Sequence, residues 1–164
     1  MARETHLDYP NQRKASSRST KWVTVLLLLL SAVLVTVVTI GGWEALQGAQ
    51  ALQIAYVLLF ALLAFFVARW RSGVLPVIAA LAMILLIFAA IAGPQWFTRD
   101  SRGFEDTGLP PEVLGVITLL LVPLQILLIA SAMSGFRQKW NVEVEVDEDA
   151  PYRPRGGEPL AATA

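Results

Sequence analysis

The chain contains no cysteine and one histidine, and charged residues make up only 16% of its 164 positions. Without thiols there is no disulfide framework, no thiolate metal site and no CxxC redox pair. The lone imidazole, His6, stands in a polar N-terminal stretch, so neither a multi-histidine metal centre nor a serine–histidine pair within a membrane can be assembled. Lys+Arg and Asp+Glu balance at 13 each, which leaves no global basic field for nucleic acid. No cofactor and no nucleic-acid partner are expected. The few Asn and Lys beside abundant Arg point to a GC-rich bacterial genome.

Apolar residues take the vacated share, at 55% of the chain. A soluble domain reaches roughly 45–50% even with glycine counted. The excess is gathered into four charge-free windows. Residues 22–43 lie between Lys21 and Glu44, and 45–68 between Glu44 and Arg69. Residues 72–98 lie between Arg71 and Arg99, and 113–136 between Glu112 and Arg137. About 20 helical residues cross a ~30 Å hydrocarbon core, so each window is long enough. Continuous rather than alternating apolar runs argue for helices over a β-barrel.

The expected fold is therefore all-α, an integral membrane bundle of four transmembrane helices. Residues 1–21 form a disordered basic tail, 22–136 the four-helix domain, and 137–164 an acidic, largely disordered tail. The working spans are 22–42, 52–68, 74–92 and 113–134. Residues 43–50 make a short outer turn. Arg69–Gly73 is a tight connector that sets spans two and three side by side. The outer loop, 93–112, is marked by Gly93, Pro94, Pro110 and Pro111.

Orientation follows from basic residues flanking the spans. Arg3, Arg13, Lys14, Arg18, Lys21, Arg69, Arg71, Arg137, Lys139, Arg153 and Arg155 fall on one side, against Arg99 and Arg102 on the other. Both termini are thus expected in the cytoplasm and the chain in the plasma membrane. Trp22, Trp43, Trp70, Trp96 and Trp140 all stand at span ends, as interfacial anchors do, because an indole is apolar but carries one N–H. A basic stretch, an apolar run and Ala49-Gln50-Ala51 also resemble a secretory signal with its cleavage site. The run is longer than such signals use, which favours an uncleaved span.

Intramembrane ionisable groups ordinarily mark a transport path, and the four cores contain none. The carboxylate on which small multidrug exporters depend in their first span is missing. So are the cysteines of quinone-linked thiol oxidoreductases and the acidic clusters of lipid-headgroup transferases. Span four holds the one unusual polar group, Thr118, Pro123 and Gln125. Pro123 frees the Leu119 carbonyl, and Gln125 near mid-depth needs a partner. The three read either as helix-packing contacts or as a polar path. Small residues at Ala79, Ala82, Ala89 and Gly93 of span three, and at Gly115, Ala130, Ser131, Ser134 and Gly135 of span four, suit close helix approach.

Two segments outside the bundle stand out. The outer loop carries Arg99, Asp100, Arg102, Glu105 and Asp106 between Trp96, Phe97 and Phe104, which reads as aromatics on the membrane surface with solvated charges, or as a docking loop. In the tail, Val142, Val144 and Val146 alternate with Glu143 and Glu145; so short a pattern reads first as a solvated acidic tail, and alternatively as a strand added to a partner's sheet edge. Gln47, Gln50 and Gln53 read as a hydrated helix start. With no nucleophile–base or metal set, the expectation is a non-catalytic accessory or scaffolding subunit of a membrane complex. Its partners are the lipid bilayer and another membrane protein or a second copy. The alternative is a small homo-oligomeric transporter or channel-like protein for an uncharged or lipidic solute.

Overall fold

A computed structural model of the chain describes residues 5–46, 48–98, 107–142 and 144–147. Among the described residues, four helices are long and apolar enough to cross a membrane. They are α2 (Ala15–Gly41), α3 (Gln50–Ala68), α4 (Leu75–Phe97, entered through a 3₁₀ turn at Ser72–Val74) and α5 (Pro111–Arg137). A one-turn helix α1 (Pro10–Arg13) precedes them. Strand β1 (Thr5–Asp8) pairs antiparallel with β2 (Val144–Asp147), Thr5 opposite Asp147 and Asp8 opposite Val144. Residues 5–8 and 144–147 therefore meet one another outside the bundle.

The membrane helices run beyond the working spans in both directions. α2 begins at Ala15 rather than Trp22, inside the stretch assigned to a disordered tail. Ser17 and Lys21 are buried there, and Gln138 donates to Thr20 Oγ1 at 3.0 Å, so packing extends the helix past its apolar run. α4 continues through Pro94 to Phe97 instead of ending at Ala92. Gly93 and Trp96 are buried in that last turn, and these contacts outweigh the lost Pro94 N–H. α5 starts at Pro111, where the missing donor costs nothing. The tail alternation of valine and glutamate is a strand, and its partner is the chain's own N-terminus. The charged outer-loop residues Arg99, Asp100, Arg102, Glu105 and Asp106, with Phe104, lie outside the described residues, as does the tail beyond Asp147.

Helix neighbours are set by which faces can approach. α4 and α5 share the most extensive interface, α2 packs on both α3 and α5, and α3 scarcely touches α4. The order around the bundle is α3, α2, α5, α4, open between the first and last. Spans two and three are joined by a short connector yet are not packed neighbours, which corrects the expectation from connector length. The small residues bear on this: Ala82, Ala89 and Gly93 of α4 are buried, and Gly93 meets Leu119 of α5, whereas α3 seats Phe60, Leu63 and Val67 in the main core. Among lipid tails there is little hydrophobic gain in helix association, so close packing and interhelical hydrogen bonds decide it.

The α3–α4 connector closes on its own backbone. Trp70 adopts a left-handed φ of 62°, while its N–H and that of Arg71 return to the Val67 and Phe66 carbonyls at 2.9 and 3.1 Å. Glycine usually fills such a helix end. Here an indole holds it, compensated by an edge-to-face contact with Trp140 at 5.5 Å.

Candidate functional site

α2 carries a ladder of hydroxyls facing its neighbours. Thr24, Ser31 and Thr39 lie about two helical turns apart on one face. Each is placed to give its proton to its own helix: Thr24 to the Thr20 carbonyl at 2.8 Å, Ser31 to Leu27 at 2.8 Å, Thr39 to Val35 at 2.7 Å. A hydroxyl has one proton and two lone pairs. Thr24 and Ser31 therefore meet α5 as acceptors, from Ser131 Oγ at 2.6 Å and from Gln125 Nε2 at 2.9 Å. Thr39 also lies 2.5 Å from Gln53 Oε1 on α3, sharing its proton between two acceptors. The hydroxyls are thus spent on joining α2 to α5 and α3. Gln125 Oε1 is the buried exception, with no partner among the described residues.

Beside this ladder the gap between α3 and α4 forms a cleft of about 330 Å³. It occupies the half of the bundle remote from the termini. Leu52, Gln53 and Tyr56 of α3 form one wall, Leu85, Phe88 and Ala92 of α4 the other, and Val35, Val38, Thr118 and Leu121 the floor. Polar groups are few: Gln95 and Gln53 lie toward the loop end, and Tyr56 and Thr118 about two turns into their helices. Thr118 is committed to the Leu114 carbonyl at 2.7 Å. Gln53 spends its oxygen on Thr39, which leaves the NH₂ without a partner among the described residues. Tyr56 is only 6% exposed, its ring edge-on to Phe60 at 5.7 Å, and its hydroxyl has no partner there either.

The opposite end is closed by a cluster built from both tails. Trp140 is fully buried against Gly135 and Leu75. Its Nε1 donates to Gln138 Oε1 at 2.9 Å. Lys21 Nζ lies over the rings of Trp70 and Trp22, at 4.2 and 4.7 Å from their centroids. It also approaches the Ala68 carbonyl at 3.5 Å. Asn11 and Gln12 of α1 donate to the carbonyls of Lys139 and Trp140 at 3.0 and 3.3 Å. α1 is thereby tied to the turn that follows α5.

The sequence candidates are separated by this geometry. Thr118 is on the cleft floor, Gln125 is fully buried against Ser31 two turns on, and Pro123 faces outward on the other side of α5. Of the five tryptophans, Trp22 and Trp43 are well exposed, Trp70 is half-buried, and Trp96 and Trp140 point into the protein. Tyr56 and the second role of Gln53 escaped the sequence reading. The spacing of Gln50, Gln53 and Tyr56, three residues apart on one helical face, was the available signal. Compared with known proteins, the chain matches no family model, no curated protein and no solved structure.

Proposed function

We propose that this four-helix membrane protein is a non-catalytic accessory subunit of a complex in a bacterial plasma membrane, with both termini in the cytoplasm. The observation that carries this reading is the β1–β2 ribbon. An isolated two-stranded ribbon is marginally stable in water, and three strands or a packed face are needed for independence. β1 and β2 pair with each other alone among the described residues, so each keeps an outer edge able to accept a partner strand. The surrounding architecture supports the same role. α1 and Trp140 fasten both tails to the bundle end, as a docking platform requires. The Thr24 and Ser31 hydroxyls of α2 are engaged in holding it to α5 rather than lining a path.

A chain ending at Asn141 removes β2 while keeping Trp140. Purified in mild detergent from its native membrane, the full chain is expected to carry a different polypeptide at fixed stoichiometry, and the shortened chain to lose it. Equal composition for both would overturn the reading.

The cleft favours a second reading, a homo-oligomeric transporter of an uncharged or lipidic solute. Uptake or efflux by the purified chain in vesicles, lost when the cleft is filled by Ala92→Trp, would establish it.

A further inference from the structure

We infer that the α3–α4 cleft is a lipid site holding one acyl chain of a membrane phospholipid, taken from the leaflet on the side opposite the termini. Its volume, about 330 Å³, falls within the roughly 300–1,000 Å³ of small-molecule pockets and is far too small for a partner helix. From Leu85 to Gln95 its α4 wall rises about 15 Å, half of a ~30 Å hydrocarbon core. One leaflet's chain has that reach. The cleft lies between two helices that scarcely touch, and Leu52, Phe88 and Ile91 on its walls are exposed at the bundle surface. At that depth the surrounding medium is lipid chain, which enters without crossing water.

The unpartnered polar groups narrow the occupant further. The Gln53 NH₂, one turn from the loop end of the cleft, and the Tyr56 hydroxyl, on a residue one turn deeper, are hydrogen-bond donors without partners among the described residues. No cation among the described residues lines the cavity, so none of them offers a counter-charge to a free carboxylate or phosphate inside it. An uncharged acceptor is the complement to two donors, and the ester carbonyl at the head of an acyl chain provides one at the depth where the chain meets its glycerol. The site is independent of the subunit reading, since lipid occupancy requires no protein partner.

The test uses the full chain in nanodiscs with a phosphatidylethanolamine bearing a photoactivatable diazirine on its chain, and maps labelled residues by mass spectrometry. Labelling of residues 49–56 and 85–95 is expected to exceed that of the outward-facing α2 residues Leu26, Val33 and Ile40 several-fold. Ala92→Trp fills the cleft from an exposed position and should cut cleft labelling several-fold with α2 labelling unchanged. Leu52→Trp, on the other wall, does the same if Ala92→Trp fails to fold. Tyr56→Phe, which removes one donor, should shorten retention of the lipid during detergent washing. Uniform labelling, or cleft labelling indifferent to both tryptophans, overturns the site. Solvent extraction yielding only free fatty acid or an isoprenoid overturns its identity. A photo-reactive residue at position 92 that captures a polypeptide instead of lipid overturns both.

Discussion

Gly93 on α4 and Leu119 on α5 meet so closely that a Cβ built on Gly93 would stand 2.6 Å from Leu119 Cδ2. One turn beyond, the relation is reversed: Gly115 of α5 receives the Phe97 ring of α4, again at 2.6 Å from a built Cβ. Each helix supplies one hole and one knob. Gly93→Val should therefore destabilise the bundle by about 1–3 kcal/mol through overpacking, while Gly73→Val, where a side chain meets open space, should be near neutral. Reversible unfolding in mixed micelles measures both. Equal stability for the two variants would remove the glycine contact from the account of α4–α5 packing.

The Ser31–Gln125 pair is expected to be asymmetric. Ser31→Ala strips Gln125 of its one partner and leaves both amide atoms buried and unpaired, a cost of about 1–3 kcal/mol. Gln125→Met removes the orphaned oxygen together with the donor, and Ser31 keeps its bond to Leu27. Interhelical hydrogen bonds in membranes average ~0.6 kcal/mol, so this second change should be small. If Gln125→Met proved the more damaging, the amide would have a role beyond packing.

Trp140→Ala empties a fully buried site at the closed end, an operation that costs about 3–5 kcal/mol in tight interiors. It also displaces the backbone to which Asn11 and Gln12 are bonded. Limited proteolysis should then cut between residues 9 and 20 much faster than in the unaltered chain. Trp22→Ala, at an exposed ring, should leave that rate unchanged. Similar cleavage of both variants would separate α1 from the Trp140 cluster.

The absence of native cysteine makes orientation directly measurable. Thr98→Cys and Asn141→Cys place single thiols on exposed residues at opposite ends of the bundle. With a membrane-impermeant maleimide on whole cells, position 98 is expected to react at once and position 141 only after permeabilisation. The reverse order would invert the topology derived from the basic residues.

Span number was readable because a long uncharged run is a local property, visible without knowing any neighbour. Helix ends were less so. Ser16 to Thr20 look like tail by polarity, and only the bond from Gln138 and the burial of Ser17 show why α2 begins earlier. Neighbour choice was hidden for a similar reason. The Arg69–Gly73 connector is short, but closeness along the chain does not bring α3 and α4 together once Gly93 and Gly115 draw α4 to α5. The cleft follows from that choice, so Tyr56 could be assigned to it only after the fold was known. Trp140 shows the same limit: its position at a span end matched an interfacial anchor, while its side chain is packed inside.

An accessory subunit must have something to join. The intact mass and composition of the complex, purified with the full chain from its native membrane in mild detergent, is the most direct measurement. A second, different polypeptide at fixed stoichiometry is the expected result, and its identity would name the process served. A homo-oligomer or a bare monomer, with no other chain present, would contradict the proposal.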